Sequence, residues 1–146
     1  LPTAACGAGN IRFKTSAGPI GDTASPITAG KATLYVVLEG TSAGLSPTAR
    51  IGLDGTWVGA LHGFSFIRLS VDPGSRHLCD SLEPSINTPD LQTALYNLEA
   101  EPGKSYYLRI RVIDARNGSF HDFQPISSDE GRYLVSLSPV SISRPK

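Results

Sequence analysis

The side chains able to do chemistry are few and scattered. Asp122, Asp129 and Glu130 form the densest acidic group; paired carboxylates can act as acid and base in glycoside hydrolysis, or hold calcium through hard oxygen ligands. The D-x-[DN]-x-[DN]-G calcium loop is absent. Ser127 and Glu130 instead have capping-box spacing, and carboxylates at a helix start meet unpaired backbone amides. His62, His77 and His121 occur singly, with no H-x-H or H-x-x-x-H pair to set two metal ligands on one face. His77, in Pro73-Gly74-Ser75-Arg76-His77, is expected to hold a turn carbonyl. Ser65 lies in an alternating run and no G-x-S-x-G elbow surrounds it. Gly52, Gly55, Gly59 and Gly63 are spaced too widely for a phosphate loop, and no G-K-[ST] follows them. The expectation is a non-enzymatic protein with no catalytic, cofactor-binding or metal site.

Cys6 and Cys79 are the only thiols, and an even count in an exported chain is most simply a disulfide. A metal pair or a catalytic thiol is the competing possibility, although no nearby His or second Cys pair completes a zinc site. A lipid-modified Cys becomes the first residue, whereas five residues precede Cys6. The chain starts at Leu1 and contains no Met, as expected after signal-peptide cleavage, so an extracellular or periplasmic location is expected.

The 146 residues make one domain's worth of chain, with 13 Lys+Arg against 13 Asp+Glu. That balance supplies no field for a nucleic-acid backbone. The longest apolar run, near Ala32–Leu38, covers about seven residues where a membrane-spanning helix needs about twenty, so a soluble chain is expected.

The elements follow from alternation and turn chemistry. Residues 1–30 are rich in Gly, Ala, Ser, Thr and Pro, with one short alternating run at Ile11–Lys14; such a segment cannot bury a core of its own and reads as an extended arm preceding a domain over 31–146. Leu34–Leu38 is apolar on both phases, as in a strand covered on both faces. Asp54-Gly55 between Ile51–Leu53 and Thr56–Val58 predicts a hairpin turn with positive φ at both centres. Phe64–Phe66 and Ile67–Val71 alternate out of phase, which predicts a bulge or one exposed aromatic. Asp72-Pro73-Gly74 and Glu101-Pro102-Gly103 predict turns, with returning strands at Arg76–Cys79 and Ser105–Ile113. Residues 80–93 read as a loop, and Arg116–Ser119 as a turn before a strand over Phe120–Ile126. A helical turn is expected after Ser127 until Gly131 interrupts it, then strand-like runs at Leu134–Leu137 and Val140–Ile142. Seven to nine short strands at about ten-residue spacing predict an all-β antiparallel sandwich of immunoglobulin-like or transthyretin-like form.

The runs Ile51–Gly59, Leu69–His77 and Glu101–Tyr107 resemble a family of bacterial exported proteins and lipoproteins whose shared domain has no known function. They also resemble the smaller PEGA-type surface module, with its strand, Asp-Gly, strand, Pro-Gly-x-x-His arrangement. The resemblance covers about residues 31–114 and implies an envelope-associated sandwich. It departs at the N-terminus, where the family's lipoproteins begin with the modified Cys.

Trp57 and Tyr106 are expected in the core, and Phe66 and Tyr107 on the surface as interface aromatics. With Ile11 and Phe13 of the arm they form the candidate interaction set. Asn117-Gly118-Ser119 matches the glycosylation acceptor pattern. Two functions are carried forward. One is a structural protein whose arm adds to the sheet edge of another copy, giving a pilus- or filament-like assembly. The other is a monomeric envelope module presenting loops 40–48 and 80–93 to a protein or glycan. A hydrolase using Asp122, Asp129 or Glu130 ranks behind both.

Overall fold

The computed structural model describes residues 6, 11–22, 28–39, 48–83, 93–115 and 118–146, the backbone alone for 112–115 and 118–121. Among the described residues ten strands and one helix follow in the order β1 (Phe13–Ile20), β2 (Ala32–Leu38), β3 (Thr48–Leu53), β4 (Thr56–His62), β5 (Ser65–Val71), β6 (Gly74–Leu82), β7 (Thr93–Ala100), β8 (Ser105–Ala115), β9 (Gly118–Pro125), α1 (Ser128–Leu137) and β10 (Pro139–Pro145). They form a six-stranded sheet, β1-β10-β5-β2-β8-β9, packed on a four-stranded sheet, β4-β3-β6-β7. The chain is therefore an all-β sandwich. Its pairing is mostly antiparallel, with parallel contacts of β2 with β8 and of β10 with β5.

Alternation places the core between the sheets. Leu34, Val36, Leu38, Ile67, Val71, Leu108 and Ile110 point inward from one sheet to meet Ile51, Leu61, Leu78, Leu82 and Leu98 of the other. The opposite phase of β2, β5 and β8 carries a second apolar cluster, Tyr35, Val37, Phe66 and Tyr107, covered by Val135 and Leu134 of α1. Two clusters on two faces explain why β2 is buried along its whole length.

Asp54 and Gly55 both adopt positive φ, 50° and 83°, closing the β3–β4 hairpin as the Asp-Gly dipeptide predicts. The turns at Asp72–Gly74 and Glu101–Gly103 behave differently from simple hairpins: each carries the chain from one sheet to the other, with Gly74 and Gly103 at φ 108° and 78°. Arg76–Cys79 thus returns beside β3 and β7 rather than beside β5. No bulge interrupts β5 where its apolar phase changes, because its register with β2 is continuous from Val71 to Ser65. Phe66 faces the helix-covered side and Ile67 the core, so both phases are apolar for a reason.

At its β4 edge the sandwich closes through side chains. Ser143 Oγ accepts from the Ala60 N–H at 3.1 Å, and Ser141 donates its hydroxyl to the Ala60 carbonyl at 2.7 Å. A sheet edge is thereby covered by β10. Leu134–Leu137, expected as a strand, belongs to α1, and Gly131 lies within the helix instead of ending it. The Gly131 α-carbon rests on the Tyr107 ring, where an added Cβ would come within 2.3 Å of Cγ. Packing outweighs the low helix propensity of glycine here.

Candidate functional site

The N-terminal arm is held within its own chain by a disulfide, by close backbone packing, by hydrogen bonds and by strand pairing. Cys6 and Cys79 form a disulfide across 73 positions of sequence, with α-carbons 5.0 Å apart. The Cys6 backbone crosses β3 so closely that a Cβ on Gly52 would lie 1.8 Å from the Cys6 carbonyl oxygen; only a residue without a side chain fits beneath it. The Arg50 guanidinium donates to the Ile11 carbonyl at 2.8 Å, and the Phe13 N–H donates to Glu83 Oε1 at 2.9 Å. From Phe13 onward β1 pairs antiparallel with β10, Phe13 opposite Pro145 and Ser16 opposite Ile142. Phe13 is buried.

Arg50 itself is 1% exposed. It donates to Ser81 Oγ at 3.0 Å, and its guanidinium lies 4.8 Å from the centre of the Trp57 ring. Burial lowers its pKa. Asp80, 0% exposed, has its carboxyl pushed well above the usual range by burial, with the Arg50 charge opposing the shift. Charged residues this deep are uncommon, and Arg50 ties the arm to the β3–β6 pair rather than facing an open site.

Phe66 and Tyr107, expected at the surface, are buried on the face that α1 covers. The reason is the helix, which residues 128–137 form in place of a strand. Tyr107 stacks on Tyr35 with ring centres 4.8 Å apart and planes 7° from parallel. The Tyr35 hydroxyl donates to Asp22 at 2.5 Å, and burial followed by this hydrogen bond pushes its pKa up to about 12. Burial also raises Tyr107. Trp57 and Tyr106, expected in the core, are half-buried, Tyr106 against the core cluster and Trp57 beneath Arg50.

The acidic group does not converge. Asp122 lies 3.9 Å from Arg111, Asp129 2.7 Å from Arg132 and Glu130 3.1 Å from Arg109, each with a different arginine. Asp129 and Glu130 occupy the first turn of α1, where Ser127 Oγ accepts from the Glu130 N–H at 3.2 Å. His77 Nδ1 meets Asn97 Oδ1 at 2.8 Å and His62 Nδ1 meets Thr48 Oγ1 at 2.9 Å, both as cross-strand pairs. The imidazole thus meets Asn97 in place of the turn carbonyl expected for His77, while the His77 backbone donates to Asp54 Oδ1 and accepts from the Asp54 N–H at the β3–β4 turn. Among the described residues no three His, Cys, Asp or Glu side chains gather as a metal would need. Also among these, no helix is long and apolar enough to cross a membrane. Of the loops expected at 40–48 and 80–93, Thr48 belongs to β3, Asp80–Leu82 to β6 and Thr93 to β7, because these ends continue the strand pairing; residues 40–47 and 84–92, Asn117 and the His121 side chain lie outside the described residues.

A cleft of about 280 Å³ opens where β7 meets the start of β8, lined by Tyr96, Leu98, Ser105, Tyr106, Pro125 and Ser127 among others. Tyr96 also approaches Phe123 of β9, with ring centres 6.4 Å apart. Among the described residues no charged side chain lines this cleft. It is absent from the expectations drawn on the sequence, because it depends on β7 and β9 belonging to different sheets, which their turns do not reveal. No family model, curated protein or solved structure matches the chain.

Proposed function

We propose that this protein is a non-enzymatic, extracytoplasmic binding module, monomeric in solution, that presents a disulfide-braced sandwich to a macromolecular partner of the cell envelope. The observation that carries the reading is the arm. Its Cys6 end is tied to Cys79 and its strand is paired with β10 of the same chain, so the segment with the best sequence credentials for strand exchange is already used. The disulfide supports an oxidising compartment. The dispersed arginine–carboxylate pairs support a structural role for Asp122, Asp129 and Glu130. The resemblance of its turn motifs to those of exported sandwich domains favours the same location.

The self-assembling reading keeps one specific support: Ile20 on β1, the outer strand of the six-stranded sheet, is 67% exposed, and an apolar side chain at an edge suits a second copy. Light scattering on the oxidised chain over a range of concentrations separates the two. A constant monomer mass, with deletion of residues 1–14 lowering stability alone, supports the binding module. Multimers that dissolve on that deletion would establish self-assembly through the arm.

A further inference from the structure

The cleft beside β8 has an edge that the fold leaves without a strand. Thr33 donates its N–H to the Lys104 carbonyl at 2.9 Å, and Glu39 to the Ile110 carbonyl at 3.1 Å. The even-numbered residues of β8 therefore direct their backbone groups towards β2, and Ser105, Tyr107 and Arg109 direct theirs to the other side. On that side β9 runs opposite β8 only as far as the Leu108–Pro125 pair. The Ile126 N–H still reaches the Tyr107 carbonyl at 3.1 Å, and the chain then turns away through the Ser127 cap into α1. Among the described residues no strand lies opposite Ser105 on the β9 side.

We propose that this cleft binds an extended, uncharged peptide segment, which adds as a strand to β8 at Ser105–Tyr107 and seats its alternate side chains against Tyr96 and Leu98. Binding by strand addition takes affinity from main-chain hydrogen bonds and register from pockets for every second side chain. The backbone edge of Ser105 supplies the first. The lining of tyrosine, aliphatic and serine side chains, with no charged one among the described residues, supplies the second and selects against charged residues. A glycan would use the tyrosine faces and hydroxyls but has no need of a strand edge, so the edge favours peptide. The inference rests on the binding-module reading and gives that module its site and ligand class.

The test is selection of a display library of linear peptides on the full oxidised chain, followed by titration of a selected peptide into the isotope-labelled protein. The expected result is slowed amide exchange at Ser105 and Tyr107 on binding. Ser105→Pro removes the N–H on the cleft side while sparing the Lys104 and Tyr106 groups that serve β2, and should weaken binding by about tenfold. Tyr96→Ala, which leaves every backbone bond in place, should weaken it similarly. Peptides whose binding survives both substitutions, or no enrichment over the Tyr96→Ala protein, would overturn the proposal. So would a glycan that binds in a Tyr96-dependent way without slowing the Ser105 and Tyr107 amides. In each of these cases a constant monomer mass preserves the binding-module reading, whereas arm-dependent multimers remove it.

Discussion

The α-carbon of Gly131 sits against the ring of Tyr107, where a single added methyl group would come within 2.3 Å of Cγ and 2.4 Å of Cδ2. The contact fixes how closely α1 approaches β8, and with it the cover over Tyr35, Val37 and Phe66. Alanine normally favours a helix over glycine by about 1 kcal/mol. At Gly131 the sign should reverse, because overpacking of this kind costs about 1–3 kcal/mol. Urea unfolding of Gly131→Ala should show a net loss of stability, and a gain would mean that the helix rides higher on the sheet.

The disulfide makes a second prediction. Replacing Cys6 and Cys79 together by Ser should cost about 2–5 kcal/mol, since closing a long loop restricts the unfolded chain. The arm should remain paired with β10 through the contacts made from Ile11 onward. Thermal melting measures the loss, and hydrogen exchange in β1 checks the pairing. Loss of all protection in Phe13–Ile20 would show that the bridge alone holds the arm.

Asp80 gives a pH dependence with a definite sign. Its folded carboxyl titrates well above the unfolded value because of burial. The unfolded chain therefore releases this proton first, and the stability Asp80 contributes is fully present below about pH 3.9 and is lost as pH rises towards the folded value. Asp80→Asn removes that slope. Denaturant unfolding from pH 4 upward should show the wild type losing ground relative to Asp80→Asn, and parallel curves would contradict the burial account.

Tyr35 does the same at alkaline pH. Its hydroxyl is raised to about 12, first by burial and then by the hydrogen bond to Asp22. Unfolded tyrosine ionises near about 10, so the associated stability holds below that value and is lost as pH rises towards 12. Asp22→Asn should move the highest phenolate transition in an ultraviolet titration downward. An unmoved transition would place the whole shift in burial.

The legibility of the sequence was uneven for physical reasons. Short-range chemistry was readable, since Asp54-Gly55 turns the hairpin and Ser127 caps a helix, and the presence of just two cysteines made the long-range Cys6–Cys79 bridge readable as well. Sheet membership was not, because a Pro-Gly turn looks alike whether the chain returns beside the previous strand or crosses to the facing sheet. Phe66 and Tyr107 were misplaced for a related reason: their phase is outward, and only the helix over Ser128–Leu137 buries it. Gly131 concealed that helix, since its need for close packing on Tyr107 is invisible along the chain. The Arg50 anchor was missed too, as an arginine in a strand ordinarily faces water.

The docking of the arm in its own chain is tested most directly in an equimolar mixture of isotope-labelled and unlabelled protein. Contacts between β1 and β10, such as Thr15 with Ser143 and Ser16 with Ile142, are the ones to follow. The account predicts that nuclear Overhauser effects between these residues arise only within one labelled chain and vanish under an intermolecular filter. The same cross-strand signals passing the filter, from labelled β1 to unlabelled β10, would contradict it.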